Sequence, residues 1–205
     1  MPASVAVERS GAGRGEGPGG AHPGEVTDPD HLTVAGGETR MPAREVLRAG
    51  LAAGVVAGAA MAVTLMFIAE VSDVPTALPG IASSTWTPLT GITSFFFGAD
   101  AFAGSFKVLS IGFGALWHLV NAALAGVIGA ILLFWLLGPR PHPVAAMIVG
   151  WLYGLTVQIL ALNLAVNAID DLNIVHRALP PWGWWVGHTA FGATLGLALG
   201  QRGRT

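Results

Sequence analysis

Four long stretches of this chain carry no charged side chain: Ala49 to Ala69, Val108 to Pro139, Pro143 to Ile169 and Ala178 to Gln201. Each reaches the roughly 20 residues that a helix needs to cross the hydrocarbon core of a bilayer. An unpaired amide or carbonyl is costly in hydrocarbon, so each stretch is expected to be helical along its buried length. The prediction is an all-α fold, a four-helix transmembrane bundle with spans at about 47–69, 112–137, 144–168 and 182–201. Composition supports a bilayer over water as the solvent. With 53% hydrophobic and 11% charged residues, the windows lack the polar stripe that a surface helix of a soluble bundle would carry.

An even number of spans places both termini on one side. Arg40, Arg44, Arg48, Arg140, Arg202 and Arg204 fall in the segments on that side, against Lys107 and Arg177 opposite. Positive charge is retained inside, so both termini are expected in the cytoplasm and the location is a cytoplasmic (inner) membrane of a prokaryote. Glu70, Asp73, Asp100, Asp170 and Asp171 then lie outside. The net charge of -2 argues against nucleic acid as a partner. Lipid is the first partner implied, with a second copy of the chain or other membrane subunits as further ones.

Residues 1–39 differ in composition, with Gly at almost every second position from Gly11 to Gly20, and read as a disordered cytoplasmic tail ahead of a membrane domain at 40–205. The tail has no apolar core of signal-peptide type, so the first span is expected to direct insertion. The chain has no cysteine, which excludes disulfides and thiolate chemistry.

Laid on itself with an offset of 100, the chain places Gly50 and Gly54 on Gly150 and Gly154, and Glu70 on Asp170. His118, Ala122, Gly126 and Ala130 recur as His188, Gly192, Gly196 and Gly200. This points to two tandem two-span hairpins in the same orientation. Small residues four apart share a helix face and admit a second backbone, so Gly50, Gly54, Gly58, Gly126, Gly150, Gly154, Gly192, Gly196 and Gly200 are expected at helix contacts. The same faces would also suit a dimer seam or a flat cofactor.

The external segment 72–107 is too long and too apolar for a simple connector. Its run of Phe95, Phe96, Phe97, Phe102 and Phe106 suits an interfacial or partly re-entrant element. Trp182, Trp184 and Trp185, after Pro180 and Pro181, mark the outer interface where the last span starts.

Polar side chains inside spans are costly and point to a functional interior. His118 and Asn121 are three apart, while Thr156, Asn163, Asn167 and Asp170 recur at helical spacing. Together with His188 they outline an outward-facing vestibule, with Asn121, Asn163, Asn167 and His118 along its walls and His188 at its floor. Counted from the inner helix ends at about 1.5 Å per residue, His118 stands roughly 28 Å out and His188 roughly 20 Å out. Gln158 lies off this stripe and receives no role.

The chemistry open to such a set is metal ligation by His118, His188 and Asp170 with Glu70 or His176, or a b-type haem between His118 and His188. The depth difference opposes the haem. No cofactor is required by the sequence, and the plain reading of each histidine is a single hydrogen bond that holds helices together. No G-x-S-x-G, no Ser beside His and acid, no acid pair within a span and no phosphate loop occurs, so catalysis is not expected.

The helix with Gly150 and Gly154, followed by W-W-V-G-H-x3-G-x3-G from Trp184 to Gly196, resembles small four-span prokaryotic membrane proteins of uncharacterised families. The likeness covers residues 45 to 201 and implies the four-helix topology, without a substrate or cofactor. The expectation is a non-catalytic accessory or interaction subunit of a membrane complex. The alternative is a metal- or haem-binding membrane protein that uses His118 and His188.

Overall fold

The computed structural model describes residues 41–72, 84–104, 107–160 and 179–202, and every element among them is helical. They are α1 (Ala43–Val71), α2 (Thr87–Phe97), a 3-10 helix (Gly98–Phe102), α3 (Lys107–Leu137), α4 (Pro143–Gln158) and α5 (Pro181–Arg202). By length and composition, α1 and α3 are the two described helices fit to cross a membrane. At 29 and 31 residues each spans well over the roughly 30 Å of a hydrocarbon core. The described residues are thus all-α with two such helices, a coarser statement than the four spans expected. α4 is apolar but 16 residues long, and α5 dilutes its 22 residues with glycine, His188 and tryptophans.

Proline and glycine set several boundaries. Pro143 and Pro181 occupy first-turn positions, where a missing amide proton costs nothing. α3 stops at Gly138, whose φ of 81° lies in the left-handed region that a side chain disfavours. Its amide still donates to the Phe134 carbonyl at 3.0 Å, closing the last turn before Pro139.

Two close pairs organise the bundle. In the first, α1 lies against α3 so tightly that a Cβ on Gly50 would stand 2.6 Å from Val127 Cα, and one on Gly54 3.0 Å from Gly126 Cα. In the second, α4 lies against α5: a Cβ on Gly150 would meet Gly196 Cα at 2.7 Å, and one on Gly154 would meet Gly192 Cα at 2.9 Å. Real Cβ atoms do not come that near to backbone, so these approaches exist because the residues are glycine. Corresponding positions of the two halves serve both pairs, Gly50 and Gly54 in one and Gly150 and Gly154 in the other.

α1 joins the pairs. Ala49, Ala53, Ala57, Met61, Leu65 and Ile68 form a buried stripe along it. Leu65 Cδ2 lies 2.5 Å from where a Gly187 Cβ would be, and Ile68 covers Gly183, so α5 is notched where α1 is bulky. Phe191, Leu195 and Leu199 of α5 and Leu133 of α3 complete the core. Between α3 and α4, the Tyr153 hydroxyl donates to the Ala125 carbonyl at 2.7 Å.

The external segment, where an interfacial or re-entrant element was expected, contains α2 docked on α3. Its hydroxyl face turns inward: Thr87, Thr90, Thr93 and Ser94 are buried, and Thr93 Oγ1 donates to the Ser110 carbonyl at 2.6 Å. Its aromatic face turns outward. Phe96 meets Phe113 and Trp117 edge-on at centroid separations of 5.2 and 5.1 Å, and Phe97 meets Phe113 at 5.7 Å. The expected tail at 1–39, and Phe106, lie outside the described residues.

Replacing Gly154 by Val forces the second pair apart and should lower the thermal midpoint in detergent by the equivalent of about 1–3 kcal/mol or more. Gly112 on α3 has nothing within 4 Å of its would-be Cβ. Gly112→Ala should leave the midpoint unchanged or raise it slightly, by up to about 1 kcal/mol.

Candidate functional site

The two histidines of the matched helices are both tied to main-chain carbonyls, in different ways. His118 Nε2 donates across the first pair to the Gly58 carbonyl at 3.0 Å. His188 Nδ1 donates within its own helix to the Trp184 carbonyl at 2.9 Å. A carbonyl only accepts, so each neutral ring carries its proton on the bonded nitrogen and keeps one lone pair, on Nδ1 of His118 and on Nε2 of His188. His188 is 7% exposed.

A glycine faces the level of each histidine, Gly58 in the first pair and Gly154 in the second, yet only His118 uses it. Gly58 has no side chain, and its would-be Cβ lies 3.8 Å from His118 Nε2, so the ring reaches the carbonyl behind it. On α4 the position 100 residues on is Gln158, not glycine. In the antiparallel register of the second pair Gly154 already lies against the His188 carbonyl and Gly192, so Gln158 falls one turn beyond, toward Trp184. His188 bonds within its own helix although a glycine faces its level.

Gln158 is 1% exposed, and its Oε1 has no hydrogen-bond partner. It is the polar residue of the interior that the sequence reading left unassigned. Two signals could have found it: its offset from Gly58, and its place one turn beyond Gly154 on the contact face. Two other polar side chains turn the other way. Asn121 is exposed and donates to its own helix at the Trp117 carbonyl, 2.8 Å away. Thr156, the first member of the expected polar stripe on α4, is exposed and donates to the Leu152 carbonyl at 2.9 Å. Asn121 therefore does not line a wall with His118. A spacing of three allowed that grouping, but the self-satisfied amide has no need of the interior.

Among the expected metal ligands, Glu70 is exposed and accepts a hydrogen bond from the Thr85 hydroxyl. Asn163, Asn167, Asp170 and His176 lie outside the described residues. Among the described residues, no group of three or more His, Asp or Glu side chains is placed to hold a metal ion. The small-residue faces considered for a porphyrin are filled: Gly192 and Gly196 lie against Gly150 and Gly154, and Gly200 against Pro143 and Ala146. A flat macrocycle would have to replace α4. The donors that remain near the bundle centre are two imidazole lone pairs and one amide oxygen, a set able to bind a small hydrogen-bond donor or to support packing.

No protein-family profile, curated protein or solved structure matches the chain.

An unpartnered buried carbonyl oxygen costs about 1–3 kcal/mol, so Gln158→Leu should raise the thermal midpoint of the purified protein by a comparable amount. His118→Leu should lower it, because the bond that ties α3 to Gly58 is lost. A lower midpoint for Gln158→Leu would mean that Oε1 is engaged in the native protein.

Proposed function

We propose that the chain is a four-span protein of a cytoplasmic membrane, both termini inside, that acts as a non-catalytic accessory or interaction subunit. The observation that carries the membrane part is the surface. Val63 and Phe67 on α1, Val108, Leu116 and Trp135 on α3, and Trp182 on α5 are each more than half exposed, a cost in water and a fit to lipid. On this reading the Phe face of α2 meets lipid near the outer boundary while its hydroxyls stay against α3. The matched glycine contacts of the two pairs favour a tandem arrangement of hairpins.

The subunit role rests on how the interior is used. The half-buried imidazole of His118 and the buried one of His188 both bond to main-chain carbonyls, and the helix faces that might receive a cofactor receive another helix. Such an interior supports shape, which suits a protein whose work is done by contact with a neighbour. The second reading, a metal or haem centre on His118 and His188, is favoured by one observation alone: each ring retains a lone pair, and its bonded N–H orients it as a carbonyl orients a metal-binding imidazole.

Reporter fusions at Arg140 and within residues 73–83 should report opposite sides of the membrane, with Arg140 inside. Extraction from native membrane in mild detergent should recover a stoichiometric partner. A Soret band, or a stoichiometric metal lost in His118→Ala or His188→Ala, would replace the subunit reading with the second one.

A further inference from the structure

The contacts that close the bundle are not alike. α1 meets α3, and α4 meets α5, through glycine with backbone on backbone; α1 meets α5 through Leu65 at the Gly187 notch and Ile68 over Gly183. The contact of α4 with α3 has neither form. The buried residues of α4 are Ala146, Gly150, Gly154 and Gln158, one stripe at a spacing of four, and that stripe faces α5. Among the described residues, the tie from α4 to α3 is the half-buried Tyr153. Its ring lies in a notch at Gly129, where a Cβ would stand 2.9 Å from Cε1, and its hydroxyl donates to the Ala125 carbonyl.

The two pairs are held together firmly at two points, at opposite ends of the bundle. At one end the short turn of residues 138–142 joins α3 to α4. At the far end Leu65 and Ile68 of α1 seat against α5. Elsewhere there is room to move. At the turn end α1 and α5 part around a groove of about 300 Å³, bordered by Ala52, Ala53 and Val56 of α1 and Ala198 of α5. A rigid α4–α5 pair can therefore rotate about the diagonal that runs from the turn to the Gly187 notch. Such a rotation lifts the far end of α4 from α3 and carries the turn end of α5 into the groove.

We propose that the two pairs seesaw about this diagonal and that Tyr153 is the latch: its hydroxyl on Ala125 keeps α4 closed on α3, and its release opens the bundle along the α3–α4 side. One hydrogen bond and one ring in a glycine notch hold that side, where glycine-to-glycine contact holds the pairs themselves. The groove supplies the space that a closely packed seam would deny. The device depends on these contacts alone, so it stands or falls apart from the bilayer reading.

The chain has no cysteine, so introduced pairs can carry spin labels on the full chain in mild detergent. Leu116→Cys with Leu160→Cys reports the far ends of α3 and α4, and Leu51→Cys with Leu197→Cys the turn ends of α1 and α5; all four side chains are exposed. Removing the hydroxyl in Tyr153→Phe should raise the long-distance population of the first pair about fivefold, the equivalent of one hydrogen bond, and add a short-distance population to the second. Gly129→Ala, which presses on the ring from α3, should act in the same direction. Ala198→Phe fills the groove and should cancel both changes when combined with Tyr153→Phe. Distances unchanged in both Tyr153→Phe and Gly129→Ala would overturn the proposal. So would a lengthening of the first pair without shortening of the second, or one that persists with Ala198→Phe.

Discussion

Backbone lying directly on backbone is the contact from which the rest of this architecture follows. Where Gly50 and Gly54 meet Gly126, and Gly150 and Gly154 meet Gly192 and Gly196, no side chain separates the helices. On the proposed bilayer reading, burial of leucine against leucine gives little advantage over leucine against lipid, so close van der Waals contact must supply the association. Small residues provide it by letting the axes approach. The bulk of the core then falls where the pairs join, along the stripe from Ala49 to Ile68 and against Phe191, Leu195 and Leu199.

The same closeness governs the polar interior. Because Gly58 is bare, His118 crosses to the facing helix, while His188 stays on its own. Two halves that share a contact pattern thus differ in what their histidines connect. The first uses imidazole as a tie between helices, and the second leaves the Gln158 amide oxygen without a partner. A half-satisfied polar group of this kind costs stability unless something uses it.

Helical character, and the glycine faces, were legible from the chain because they depend on local periodicity. The α3 window matched the helix to within two residues at each end, whereas α1 begins more than a turn ahead of its window, since backbone hydrogen bonding continues past the apolar residues into Arg44, Glu45 and Arg48. The candidate site was less legible. Spacing groups residues on a face but does not say which way the face turns, and Thr156 was grouped with an interior that it does not enter. Asn121 was assigned to the vestibule wall in the same way, but an amide can satisfy itself on the carbonyl four residues back, and a sequence carries no mark of that choice. α2 was anticipated as an aromatic element, but its buried hydroxyl side depends on α3 and could not be read from its own composition.

The division into two close pairs also bears on the order in which the molecule assembles. Each pair closes on partners within itself, α1 on α3 and α4 on α5, and the joining surface between α1 and α5 uses residues that neither pair occupies. During synthesis the residues of the first pair have all emerged by Leu137, while the second pair needs α5. The seam at Gly183 and Gly187 is where the two closed pairs meet as one body.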